Sequence, residues 1–180
     1  MLLVEYMGHR MAAEAYRVRV SDPVGTLVEA GLIGREPIQL YDPSAVVSAR
    51  HLTLAFLCAV DAFSTGTNRA KRMEVEFLRF LAGSKQISEA IGLVGVRPGT
   101  EVVGVAAFSG GGLDPVGLLE RARSLLGGDP EPGMLASASP SEVLRRMGVP
   151  EELVDAIPES EGASREELAV LERISVLRII

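Results

Sequence analysis

SARHLTLAFLCAVDAF, residues 48–63, is the most apolar helical stretch of the chain. Its small residues, which include Ala55, Cys58 and Ala59, let neighbouring elements approach closely. The polar run at 64–68 interrupts the pattern and ends the helix. We therefore expect a central, largely buried helix.

Four segments around this helix have the composition of β-strands. They are Leu2 to His9, Ala15 to Ser21, Ile38 to Tyr41 and Glu101 to Phe108. In the second, Tyr16 alternates with Arg17, so we expect one face of that strand to meet water. Regular alternation of strands and helices is missing. The prediction is an α/β fold of the α+β type, a single domain over residues 1–180 with a small, mostly antiparallel or mixed sheet and helices packed on it.

Capping residues and apolar periodicity predict six further helices. These are expected at 22–31, 69–82, 84–94 and 114–128, with two more beginning at the capping boxes 139–142 and 164–167. Ser84 is expected to cap the third of them. Its inward face is expected to consist of Ile87, Ala90, Ile91 and Val94.

The chain holds 18 Lys and Arg against 24 Asp and Glu, a net charge of −6. Such a protein attracts nucleic acid poorly overall, although a local basic strip can still serve a specific contact. Cys58 is the single cysteine, and His9 and His51 are the only histidines. We therefore expect no disulfide, metal site or cofactor. No apolar run reaches the roughly 18 residues that span a bilayer, and we expect a cytoplasmic protein.

Two features raise the question of catalysis. The glycine run 110–112 lies between a strand and a helix, where phosphate-binding loops occur, but no Gly-Lys-Ser/Thr ending follows it. Asp114 also places a carboxylate where the phosphate would lie. His9 and His51 stand beside no recognisable nucleophile. We expect no enzymatic activity.

A basic strip follows the central helix. Residues 68–85 carry five Lys and Arg but only two Glu, in a chain that is acidic as a whole. The five cations are Arg69, Lys71, Arg72, Arg79 and Lys85. Asn68, Ser84 and Gln86 flank them with hydrogen-bonding groups that suit phosphates or base edges. On charge alone, a solvated helix face is the simpler interpretation.

Three stretches of residues 38–108 resemble the small kinase-binding subunit of the KEOPS complex, the family of the PRPK-binding protein. They are Ser48-Ala49-Arg50-His51-Leu52, Val75-Glu76-Phe77-Leu78, and the most specific one, Ala82-Gly83-Ser84-Lys85-Gln86-Ile87-Ser88-Glu89-Ala90-Ile91. The segment 110–163 resembles nothing that we can assign.

The resemblance implies a function. KEOPS makes threonylcarbamoyladenosine in tRNA, and its small subunit is a non-catalytic, regulatory accessory protein. That subunit binds the atypical kinase/ATPase subunit and the single-stranded CCA end of tRNA, and through the complex it serves the Kae-type transferase. The candidate RNA-contacting residues are then Asn68, Arg69, Lys71, Arg72, Ser84, Lys85, Gln86 and Ile87.

The apolar C-terminal residues are the candidate partner-binding surface, because exposed apolar patches usually mark interfaces. These residues are Val176, Leu177, Ile179 and Ile180. Two alternatives to the KEOPS function stay open. One is a small nucleotide-binding enzyme that uses the loop from Gly110 to Gly112, and the other is a structural adaptor that does not bind RNA.

Overall fold

A computed structural model describes residues 1–109 and 112–177 of the chain. Within these ranges, five strands form one antiparallel sheet. They are β1 (Leu2–Tyr6), β2 (His9–Arg17), β3 (Ile38–Tyr41), β4 (Val102–Phe108) and β5 (Asp129–Pro130). The order across the sheet is β1-β2-β4-β3, and the short β5 pairs with the end of β2. The predicted α+β class and the antiparallel sheet are confirmed.

The first two strands form a tight hairpin, and here the sequence prediction was wrong. His9 begins the second strand instead of ending the first, and it pairs with Tyr6. Met7 and Gly8 make the turn with φ angles of 49° and 75°. Positive φ at both central residues is the signature of the two-residue turn that fits strand twist. Because the turn comes so early, β2 begins six residues sooner than expected.

Helices cover both faces of the sheet. On one face Met11, Ala106 and Phe108 pack in a cluster with residues of the central helix. On the other face Val103 and Val105 pack with residues of two further helices.

The expectation that residues 15–21 show one face to water is confirmed by their burial, since Tyr16 is buried whereas Arg17 and Arg19 are exposed. The strand itself ends at Arg17, and its residues 11–16 are largely covered on both faces.

Eight α-helices complete the described ranges. They are α1 (Pro23–Glu29), α2 (Ala49–Ser64), α3 (Met73–Leu81), α4 (Ile87–Val94), α5 (Pro115–Leu126), α6 (Pro140–Arg146), α7 (Glu151–Asp155) and α8 (Arg165–Val176). The central, buried helix is confirmed as α2, and Ser48 caps it by accepting a hydrogen bond from the His51 N–H. No helix in these ranges is both long enough and apolar enough to cross a membrane.

Two helix starts and one helix cap differ from the prediction. Helix α3 begins at Met73 instead of Arg69, because a buried carboxylate binds the backbone of residues 69 and 70. Helix α4 begins at Ile87, because the Ser84 hydroxyl accepts a hydrogen bond from the Gln86 N–H in the turn before the helix. The Ser139 side chain makes no capping bond to α6, whereas Ser164 does cap α8.

The inward face of α4 was predicted only in part. Ala90 and Val94 are buried, but Ile91 is 54% exposed. A helix of two turns contacts its neighbours along one narrow stripe, which here is the i, i+4 pair Ala90 and Val94. Ile91 therefore lies on the surface.

Candidate nucleic-acid interface

Two loops carry the predicted RNA-contacting residues, and they flank helix α3. We name them the 68–72 loop, which precedes α3, and the 83–86 loop, which joins α3 to α4. Gly83 begins the second loop with φ of +63°, a left-handed conformation that suits glycine at the end of a helix. The path of the chain thus brings both loops to the same short helix.

Arg79 does not belong to an exposed basic face, so the strip is smaller than the sequence indicated. Its side chain is 3% exposed and its Nη2 lies 2.5 Å from the Glu76 carboxylate, which is fully buried. Its guanidinium also lies 4.3 Å from the centre of the Phe80 ring. A cation enclosed in this way cannot meet a phosphate.

Arg72 is also engaged by the protein. Its guanidinium donates hydrogen bonds to the carbonyls of Gly34 and Glu36 and forms an ion pair with Glu74. Glu74 is itself buried, so the pair lies at the edge of the core. Arg72 therefore holds the 68–72 loop against residues 34–36, and little of its charge is free for a ligand.

The remaining cations are available. Arg69, Lys71 and Lys85 are exposed. Within the described part of the chain none of the three forms an ion pair. Lys71 and Lys85 are also the only two lysines of the sequence. The two loops thus present three unpaired positive charges on an acidic protein.

The polar residues of the two loops divide into two groups. The Asn68 amide donates to the Ala70 carbonyl, and Ser84 is buried, with its hydroxyl bound to Glu89 and to the Gln86 N–H. These two side chains shape the loops. Gln86 is exposed and Ile87 is partly buried, so both can meet a ligand beside Lys85.

The arrangement suits a single nucleic-acid strand. The three cations can pair with phosphates, Gln86 can read a base edge, and Ile87 offers an apolar surface to a base. Gln86 also precedes α4 without making a side-chain capping bond. The two aromatic residues of α3, Phe77 and Phe80, are fully buried and cannot stack on a base.

The predicted partner-binding residues fall at the end of α8. Val176 is 36% exposed. Leu177 is only 5% exposed, so the expectation that it lies on an open surface was wrong. It packs in the core instead. Ile179 and Ile180 lie outside the described residues.

Val176 borders an apolar groove that the sequence did not indicate. The groove has a volume of about 420 Å³ and lies between α7 and α8. Leu153, which is 58% exposed, lines it from α7. Glu172 and Arg173 supply its charged lining on α8. We call it the α7–α8 groove.

The glycine loop shows no phosphate site in its described part. Gly110 and Gly111 lie outside the described residues, and Gly112 has φ of +81°. Asp114 caps α5 by accepting from the Gly117 N–H at 3.2 Å and pairs with Arg10. A carboxylate therefore occupies the helix N-terminus where a phosphate would bind.

His51 is buried between two backbone groups. Its Nδ1 accepts from the Val47 N–H at 3.3 Å, and its Nε2 lies 2.9 Å from the Leu81 carbonyl. Burial lowers the pKa of His51 to about 4, so the ring is neutral and Nε2 carries the proton. No group of three or more His, Cys, Asp or Glu in the described ranges is placed to hold a metal ion.

Comparison with known proteins identifies relatives of the central part of the chain. The family model of the kinase-binding protein CGI-121 matches residues 27–129, more than half of the chain. A KEOPS complex subunit Cgi121 from Pyrococcus abyssi (strain GE5 / Orsay) is 37% identical over 94 residues. That alignment covers 51% of this chain and 53% of the relative, so the chain spans about half the length of the relative it matches. The family match includes both loops and excludes the α7–α8 groove.

Proposed function

The chain belongs to the CGI-121 family of kinase-binding proteins, and we propose that it is a non-catalytic accessory subunit of a KEOPS complex in tRNA threonylcarbamoyladenosine modification. In this proposal it binds the single-stranded CCA end of tRNA and the atypical kinase/ATPase subunit. Its contribution to the transferase subunit is then indirect, through holding the substrate.

The observation that carries RNA binding is the placement of Arg69, Lys71 and Lys85. These exposed cations without acidic partners lie on two loops beside one helix. Paired surface arginines elsewhere, such as Arg19 with Asp129 at 2.8 Å, have their charge neutralised within the protein. RNA attraction should therefore be local and sensitive to salt.

The α7–α8 groove is the proposed kinase-docking surface. Its lining is mainly apolar, and Leu153 and Val176 remain exposed at it. Partly exposed apolar side chains in a concave site are typical anchors of protein interfaces. The kinase would supply the apolar side chains that fill the groove.

The accessory, non-catalytic part of the proposal is supported by three acid–base groups that are engaged within the protein. His51 is enclosed and neutral, and Glu76 is paired with Arg79 inside the core. Asp114 blocks the phosphate position next to the glycine loop. We found no nucleophile with a base beside it among the described residues.

The experiment that tests RNA binding is a gel-shift titration of Lys85→Glu with tRNA at two salt concentrations. We expect binding to weaken by about 1–3 kcal/mol, because a phosphate contact is replaced by repulsion. Arg19→Glu is the matched control, since it makes the same change of charge on an exposed side chain away from the loops. Equal affinity of both variants and the unaltered protein would contradict the proposed site.

A further inference from the structure

Glu76 and Arg79 lie inside the core and link the 68–72 loop to the 83–86 loop by hydrogen bonds. Glu76 Oε2 accepts from the backbone N–H of Arg69 at 3.2 Å and of Ala70 at 2.8 Å. Its other oxygen accepts from Arg79 Nε at 3.0 Å and Nη2 at 2.5 Å. Arg79 Nη1 then donates to the Ser84 carbonyl at 3.3 Å.

We infer that this buried pair is a positioning device for RNA binding: Glu76 and Arg79 touch no RNA but fix the spacing between the cations of the 68–72 loop and Lys85. The inference rests on the proposed RNA-binding function. It goes beyond that function because it assigns a role to two residues that are closed to solvent.

The choice of backbone partners supports this role. Glu76 binds the N–H of Arg69 itself and of the residue before Lys71, and Arg79 binds the carbonyl of the residue before Lys85. Each exposed cation is thus anchored at its own residue or its immediate neighbour. The long cationic side chains can still change conformation, but the backbone positions from which they extend are fixed.

Energetics also favour positioning over plain stabilisation. Removing two charges from water is costly, so a buried ion pair contributes little net stability compared with apolar side chains of similar volume. What such apolar replacements cannot supply are the polar contacts to Arg69, Ala70 and Ser84 and between the pair. The pair therefore contributes geometry that packing alone does not.

Fixed spacing has a measurable consequence. When several cations engage phosphates at once, the logarithm of affinity falls with the logarithm of salt concentration by about 0.7 for each phosphate of a single strand. If the loops separate, fewer phosphates are engaged at once and the salt slope becomes shallower. A change in this slope distinguishes displacement of the cations from a smaller amount of folded protein.

The test uses the double variant Glu76→Met/Arg79→Leu in the full chain. Apolar side chains replace the buried pair, so the fold should be kept, while both loops lose their anchors. We expect tRNA affinity to fall about tenfold or more and the salt slope to become shallower by about one phosphate contact. Thermal unfolding followed by circular dichroism reports whether the variant is folded at the titration temperature.

Two comparisons keep the result decisive. Leu126→Ala removes buried volume on the opposite face of the sheet and should leave affinity and slope unchanged at a temperature where it is folded. Arg79→Lys keeps a buried cation but offers fewer hydrogen-bond donors, so it should show a smaller loss of affinity and a smaller change of slope. It replaces the double variant in the test if the double variant does not fold. If neither Glu76→Met/Arg79→Leu nor Arg79→Lys differs from Leu126→Ala in slope and affinity, the inference is wrong. Failure of the unaltered protein to bind tRNA would instead contradict the proposed function itself.

Discussion

The side chain of His51 stabilises the fold through hydrogen bonds to the backbone. It is fully buried, and both ring nitrogens have a backbone partner, one a donor and one an acceptor. Only the neutral ring can satisfy both, because a proton on Nδ1 would face the Val47 N–H. The ring therefore ties the start of α2 to the end of α3.

A pH dependence of stability follows from His51. Its pKa is about 4 in the folded protein and about 6.5 when unfolded, so between these values the unfolded state binds more protons. Stability from this group is present above pH 6.5 and is lost as pH falls to 4, by about 3 kcal/mol. Urea unfolding of the protein and of His51→Gln across this range measures the difference, since glutamine does not titrate. Parallel stability curves would show that His51 does not titrate in this way.

The sequence was a poor guide to which charged residues are exposed. Arg79 was counted with the surface cations, yet the structure buries it against Glu76. The spacing i, i+3 of an acid and a base on one helix was visible in the sequence. It also occurs on solvated helices, so burial could be known only from the surrounding packing. Leu177 shows the reverse case, an apparent surface residue that lies in the core.

Among the elements, those with strong local signals were predicted well. Strand β3 is bounded as expected by Ile38 and Tyr41, and α5 begins after Asp114 and ends before a glycine with φ of +59°. Helix α3 was predicted four residues too long at its start, because the bonds from Glu76 to the backbone of residues 69 and 70 are tertiary contacts. Capping and periodicity do not contain that information.

Charged substitutions in the α7–α8 groove test its role as the docking surface. Leu153→Glu or Val176→Glu should weaken co-purification with the atypical kinase, because each places a charge in an apolar interface. Both side chains are exposed, so the variants should stay folded. Leu3→Glu is the matched control, since Leu3 is 60% exposed on β1. A pull-down in which all three variants retain the kinase equally would remove the groove as the docking surface.

The two halves of the molecule differ in net charge. Residues 1–100 hold 11 Lys and Arg against 10 Asp and Glu, whereas residues 101–180 hold 7 against 14. The acidic second half is unfavourable for RNA, which agrees with the proposed contact on the two loops of the first half.

The resemblance seen in the sequence covers residues 38–108, and the family match extends over 27–129. Family membership could therefore be inferred from the amino-acid sequence alone, through the residues of α2, α3 and α4. The α7–α8 groove could not be inferred in this way, because it lies outside the stretches that carry the resemblance and is formed by the packing of two helices. Concave surfaces of that kind form only when the elements pack together.

Binding to the 3′ end of tRNA can be measured by a gel-shift titration of the unaltered protein with intact tRNA and with the same tRNA lacking its terminal CCA. We expect measurable affinity for the intact tRNA, a loss of affinity without the CCA end, and weaker binding at the higher of two salt concentrations. The three cations on the two loops would then lack their single-stranded ligand. Equal binding of both tRNAs would contradict the account, because the loops would not be reading the 3′ end.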